Sequence, residues 1–230
     1  MTQELWTSVD QYIVDSLDLS DSALDGAQSA SDAAGLPPIQ VSAAQGKFLE
    51  ILAAMLGARN ILEIGTLGGF STICLGRALP ADGRLISFEI DPKHAEVAKS
   101  NVKNAGLADR IEIRVGNALE LLPDLAAERL DPFDLTFIDA DKASIPTYFE
   151  WAIRMSRPGS VIIVDNVVRE GAVIDPASTD PSVQGVRRLN EIMSADPRIS
   201  STVVQTVGVK GYDGFAIALL KTSSLEASRY

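Results

Sequence analysis

One stretch, Asn60 to Asp91, restricts the fold more than any other. Ile61-Leu62-Glu63-Ile64 is a short β-type run that ends at Gly65-Thr66-Leu67-Gly68-Gly69. A helical segment follows, and a second β-type run, Leu85-Ile86-Ser87-Phe88-Glu89, closes on Ile90-Asp91. Strand, glycine-rich turn, helix and a strand ending in an acid make a βαβ unit of the nucleotide-binding kind. Gly65 lets the chain turn sharply off the first strand. Gly68 and Gly69 let the helix begin close to the sheet, with backbone N–H groups facing a ligand. Glu89 lies 24 residues beyond Gly65 (89 − 65), where a carboxylate can accept the hydroxyls of an adenosine ribose. The glycines alone would fit any strand-to-helix turn. With the acid they call for an adenosine-containing cofactor.

Leu67 decides which one. A dinucleotide fingerprint needs glycine there, because pyrophosphate approaches the backbone where a Cβ would interfere. S-adenosylmethionine (SAM) has no phosphate and would leave its amino-acid tail near the turn. Its sulfonium also favours a nearby acid such as Glu63.

At 230 residues and 46% hydrophobic content, the chain can bury one α/β core, and no internal repeat argues for two. One domain over 1–230 is expected. The net charge of −11 argues against a nucleic-acid surface, which would need clustered Lys and Arg. Cys74 and His94 are the only residues of their types, so disulfide frameworks and Cys/His zinc sites are excluded. Cys74 reads as core and His94 as a solvated first-turn residue. No apolar leader opens the sequence and no long apolar run interrupts it, so a cytoplasmic protein without a membrane span is expected.

Residues 2–18 place Leu5, Val9, Tyr12, Ile13 and Leu17 at helical spacing. Ser20 to Gly35 reads as a weak second helix or a mobile segment, ended by Pro37-Pro38, with a linker and a lid as the two alternatives. A helix from Ala43 to Leu56, capped by Ser42, carries Phe48, Leu49, Leu52 and Met55 on one face. Strands are expected near 60–64, 84–89, 110–115, 133–138 and 160–165, alternating with helices near 70–79, 93–105, 117–129 and 145–156. A further helix spans Asp180 to Ala195, and an antiparallel pair, Ser201 to Val209 and Asp213 to Leu220, closes the sheet.

Two strands end in acids at the carboxyl edge, where open α/β sheets bind ligands: Ile138-Asp139-Ala140-Asp141-Lys142 and Val164-Asp165-Asn166. If these strands are neighbours, Asp139, Asp165 and the Asn166 amide oxygen converge. Two carboxylates and an amide suit a hard octahedral cation such as Mg²⁺. Such an ion could hold a substrate with two adjacent oxygens, and Lys142 could take its hydroxyl proton. Asp141 reads as a pocket-edge acid.

At these residues the sequence resembles the cation-dependent class I O-methyltransferases, which include catechol and caffeoyl-CoA O-methyltransferases and many bacterial small-molecule enzymes. The resemblance runs from about Val41 to Leu220 and rests on Glu63 to Ser71, Phe88 to Asp91, Asp139 to Lys142 and Asp165-Asn166-Val167. It implies a Rossmann-like α/β fold with a seven-stranded sheet of order 3-2-1-4-5-7-6, strand 7 antiparallel. It also implies that Asp139, Asp165 and Asn166 hold Mg²⁺ or another divalent ion such as Mn²⁺ or Ca²⁺, and that Lys142 is the general base. Glu89 would hold the ribose; Glu63, Gly65 and Ser71 would line the methionine end. Val41 and Ala118 would make backbone or adenine contacts, and Asp139 would face the cofactor's amino group. A small phenolic acceptor, a homodimer and an N-terminal helical lid over residues 1–38 follow from the same resemblance. The chain departs from it at Ile145 and Arg169, where many bacterial members carry tyrosine and tryptophan, and around Gly208 to Gly214, which looks longer. Three rivals remain open: methylation of a hydroxylated tRNA base, a non-catalytic SAM-binding module, and an NAD-dependent oxidoreductase.

Overall fold

A computed structural model describes residues 2–222; Met1 and residues 223–230, the ends of the expected 1–230 domain, lie outside the described residues. The chain order is α1 (Gln3–Leu17), α2 (Ser22–Ala33), α3 (Ala43–Met55), β1 (Asn60–Ile64), α4 (Phe70–Arg77), β2 (Arg84–Glu89), α5 (Pro92–Asn104) and β3 (Ile111–Val115). It continues with α6 (Ala118–Ala127), β4 (Phe133–Ile138), α7 (Ile145–Arg154), β5 (Ser156–Asp165), a 3₁₀ segment (Arg169–Ile174), α8 (Pro181–Ala195), β6 (Ile199–Gly208) and β7 (Gly211–Leu220). The sheet order is β3-β2-β1-β4-β5-β7-β6, with β7 antiparallel to both its neighbours. The sheet is therefore the one expected, and β4 and β5 lie side by side with Ile138 level with Val164.

The central strands are apolar on both faces because helices cover both. Leu62, Ile64, Ile138, Ile162 and Val164 pack with α6, α7 and α8, while Ile61, Leu135, Phe137, Val161 and Ile163 pack with α2 to α5. Successive side chains alternate between these two layers, as the two-residue strand period requires. Asp, Asn and Ser caps start most of the helices: Asp21, Ser42, Asp91, Asn117 and Asp180 each accept a backbone N–H of the first turn.

The N-terminal segment divides in two. Helix α2 is part of the core, with Leu24 and Ala27 buried, and it packs on α4 and α5. Asn101 of α5 donates to the carbonyls of both Ala27 and Gly68, at 3.2 and 2.9 Å, and a Cβ on Gly68 would overlap the Ser31 hydroxyl. Helix α1 buries none of its residues: Leu5, Val9, Tyr12 and Leu17 are exposed despite their amphipathic spacing. It touches the β6–β7 hairpin, where Gln3 donates to the Gly208 carbonyl and Asp10 accepts from the Val209 N–H.

Strand β5 starts at Ser156 rather than near 160. Phe133 donates to the Met155 carbonyl and pairs with Ser156, and a register shift between Phe133 and Leu135 accommodates the extra residues. Among the described residues, no helix is long and apolar enough to cross a membrane.

Candidate active site

A cavity of about 800 Å³ opens at the carboxyl ends of β1, β2, β3 and β4. It lies where the strand order reverses between β1 and β4, the usual ligand crevice of such a sheet.

Gly65 leaves β1 at φ 102, and its conformation has a cause the sequence did not reveal. A Cβ there would overlap the Asp139 carbonyl oxygen, because Asp139 N–H donates to Ile64 O at 2.8 Å and draws the end of β4 against the turn. Two residues on, Leu67 adopts φ 49, a left-handed conformation that costs a non-glycine residue about 1–2 kcal/mol. Glu89 holds it there. Its Oε2 accepts the Thr66 and Leu67 N–H groups at 3.2 and 2.7 Å, and its Oε1 accepts the Asp91 N–H at 3.0 Å. The carboxylate thus ties the turn to β2 and presents its remaining lone-pair capacity to the cavity, which it lines.

Glu63 does not line the cavity. It is fully buried, and the hydroxyls of Ser71 and Ser87, each at 2.6 Å, and of Thr72 donate to it. Burial pushes its carboxyl up to about 7, and Asp139 nearby adds to the rise. Ser71 stands between this acid and the cavity, so the wall position expected of Glu63 belongs to Ser71, which Glu63 orients. Val41 and Ala118, both buried, line the cavity as well. Of the N-terminal region, Ile39, Gln40 and Val41 form wall and residues 2–38 do not.

Of the three oxygen donors expected together at the ends of β4 and β5, Asp139 and Asn166 line the cavity and Asp165 does not. Lys142 Nζ donates to Asp139 Oδ1 at 2.8 Å, and Asp139, Lys142 and Asn166 share the cavity wall. Asp165, 6% exposed, is pushed up to about 7 by burial and then by the charge of Asp139; the Lys142 cation opposes the rise. Two carboxylates repelling one another in a poorly solvated place, with an amide beside them, fit a hard divalent cation that would relieve both costs. The set has only two acids, and among the described residues no three His, Cys, Asp or Glu side chains gather to hold a metal. Behind it, α8 packs so closely on the Lys142 carbonyl that a Cβ on Gly185 would overlap it.

Asp141 lines the cavity, as expected of a pocket-edge acid, while its partner Tyr148 and the wall residue His94 were not read from the sequence. Asp141 is held by the Tyr148 hydroxyl at 2.5 Å and the Ser144 N–H at 3.0 Å, and buried Tyr148 joins the wall; seven residues along a loop and a helix separate the pair. His94, expected in solvent, lines the cavity with its side chain 21% exposed and Nδ1 3.6 Å from Glu89 Oε1, because α5 begins at Pro92 and turns its third residue inward. Ile145, at the position of a familiar tyrosine, is fully buried in the α7 core. Cys74 is buried too, and burial pushes its thiol up to about 12.

The family model described as O-methyltransferase matches residues 18–219. A protein named catechol O-methyltransferase from Niastella koreensis is 51% identical over 96% of this chain and 100% of its own length; one of the same name from Mycobacterium tuberculosis is 52% identical over 93% and 95%. The crystal structure of an O-methyltransferase from Bacillus cereus in complex with S-adenosylhomocysteine (SAH) superposes with a TM-score of 0.94 at 55% identity. It covers 96% of this chain and 100% of that one. TomG from Streptomyces achromogenes, an O-methyltransferase involved in tomaymycin synthesis and solved with SAM, gives 0.93 at 50% identity over 96% and 100%. On the family match, these identities and the sheet that carries the cavity, the chain belongs to the O-methyltransferase family.

Proposed function

We propose that this chain is a SAM-dependent, divalent-cation-dependent O-methyltransferase acting on a hydroxyl of a small catechol-like or phenolic acceptor. One observation carries the reading: Lys142, Asp139 and Asn166 lie on the wall of the same cavity that Ser71, Leu67 and Glu89 line. The SAH and SAM complexes of the relatives support the cofactor, and the catechol O-methyltransferase names support the acceptor class.

Bound SAM supplies a methyl group on a positively charged sulfur. A bound Mg²⁺ supplies positive charge that makes an adjacent hydroxyl a stronger acid. The chain's own residues do the rest. Glu89 orients the adenosine end, while the glycine-rich turn it holds and Ser71, fixed by Glu63, face the amino-acid end. In its neutral form Lys142 Nζ accepts the acceptor's hydroxyl proton and becomes the ammonium; the oxyanion takes the methyl carbon as the carbon–sulfur bond breaks toward sulfur. Asp139 holds the Lys142 ammonium at 2.8 Å while the proton resides there.

The test is turnover of catechols, hydroxycinnamoyl thioesters and flavonoids with methyl-labelled SAM, with and without Mg²⁺. Activity that vanishes in EDTA and in Asp165→Ala, with SAH affinity retained, is the expected result; full turnover in EDTA refutes cation dependence. A homodimer belongs to the same proposal, supported by the exposed apolar residues of α1 and by β6, an edge strand exposed along most of its length. Sedimentation at monomer mass across micromolar concentrations would refute it. A cytoplasmic setting is also proposed, since a lone buried thiol suits a reducing compartment.

A further inference from the structure

We propose that Asp213 of β7 is a positioning residue for the oxygen-donor cluster: it sets Asn166 by holding the chain that leaves it. The proposal rests on the reading of Asp139, Asp165 and Asn166 as a cation site.

Asn166 sits at φ 57, and Arg169 and Glu170 follow at 56 and 54, all in the left-handed region. Non-glycine residues stay there only when their surroundings over-determine them, and asparagine is among the few that tolerate it. Here the constraint comes from one neighbour. On the entry side, Asp165 pairs with Phe215 in the β5–β7 ladder. On the exit side, the next three N–H groups all donate to two consecutive residues of β7. Val167 donates to Gly214 O at 2.9 Å, and Val168 and Arg169 donate to Asp213 Oδ1 at 2.9 and 3.0 Å. The same oxygen accepts the Gly214 N–H at 2.9 Å, so a single carboxylate oxygen joins the loop to the strand beneath it. Bonds to an ionised acceptor are stronger than those between neutral groups. The other oxygen, Oδ2, lies 3.9 Å from the Arg169 guanidinium.

Alanine at 213 would strand three N–H groups and release the 166–171 backbone toward right-handed conformations. The Asn166 carboxamide would then leave the wall it shares with Asp139, while Ser71, Glu89 and the glycine-rich turn, which touch none of these groups, would stay in place.

The experiment measures Mn²⁺ affinity by electron paramagnetic resonance on the SAH-bound full chain, and SAH affinity by calorimetry, for the wild type, Asp213→Ala and Asp213→Asn. Asp213→Ala should weaken Mn²⁺ by about 10-fold or more, the usual cost of losing a group that orients a metal ligand, with SAH affinity unchanged. Asp213→Asn keeps an acceptor oxygen and should recover most of that loss. Equal Mn²⁺ affinity in the wild type and the alanine variant overturns the proposal, as does a parallel loss of SAH binding or no recovery in the asparagine variant. A wild type that binds SAH but no Mn²⁺ removes the cation reading itself, and the proposal with it.

Discussion

Replacing Glu63 with glutamine should make the protein increasingly more stable than the wild type as pH rises from 5 to 8. Glu63 is fully buried, and burial moves its carboxyl from 4.5 to about 7 despite three donating hydroxyls. The folded state therefore binds this proton more tightly than the unfolded state does. Between the two values the unfolded chain carries fewer protons, so stability falls as pH rises; the penalty is complete above the folded-state value. At 1.36 kcal/mol per tenfold change in proton affinity, the loss between pH 5 and pH 8 comes to about 2.5 kcal/mol. Neutral glutamine has the shape of the protonated acid, and the Ser71, Ser87 and Thr72 hydroxyls can rotate to accept from its amide. Glu63→Gln should thus gain about 2.5 kcal/mol on the wild type between pH 5 and pH 8, a relative rise of about 5–10 °C in Tm for a chain of this size. Subtracting the two pH profiles cancels Asp165, which titrates in the same range and is present in both. Urea denaturation at pH 5, 6, 7 and 8 reads the difference. Parallel profiles for the two proteins would show that Glu63 keeps its charge when buried, and the reasoning would fail.

Gly65→Ala should cost about 2–5 kcal/mol, because its Cβ meets the Asp139 carbonyl and its φ is 102; a loss under about 1 kcal/mol in urea denaturation would mean that β4 does not dictate this residue. Asn101→Ala removes a 2%-exposed amide that donates to Ala27 and Gly68, at a cost of about 1–3 kcal/mol. Hydrogen exchange should quicken across α2, and unchanged exchange there would remove Asn101 as its anchor. Cys74, with its thiol pushed up to about 12 by burial, should resist a disulfide reagent at pH 8 until urea is added; reaction in the native protein would contradict its placement.

The alternation of β-type runs and helical spacing from Asn60 onward was enough to locate the parallel strands, because those runs are buried on both faces and bounded by capping residues. The placement of Asp139, Lys142 and Asn166 on one wall was legible for a related reason: each follows directly on the carboxyl end of β4 or β5, and the two strands are neighbours. Legibility ended where tertiary contacts decide. Gly65 lines the cavity as expected, yet β4 is what crowds out a side chain there. Glu63 reads as a wall residue, yet strand alternation and three hydroxyls draw it inside. The apolar stripe of α1 reads as core-facing, but its contacts with the β6–β7 hairpin and α3 leave every residue of the helix at least partly exposed. The early start of β5 depends on Phe133 and Met155, and the left-handed run near Arg169 depends on β7. Neither leaves a local pattern.

Helix α8 gears the two halves of the donor cluster together. At Gly185 it presses on the carbonyl of Lys142, and from Arg187, two residues on, Nε donates to Val173 O at 2.9 Å in the segment that follows Asn166. A tilt of this one helix would shift the backbone at Lys142 and at Val173 in step, so their spacing is inherited from a single rigid rod. Substitutions on its solvent side, far from any bound small molecule, can therefore retune both at once. A library aimed at new acceptors has reason to include that outer surface.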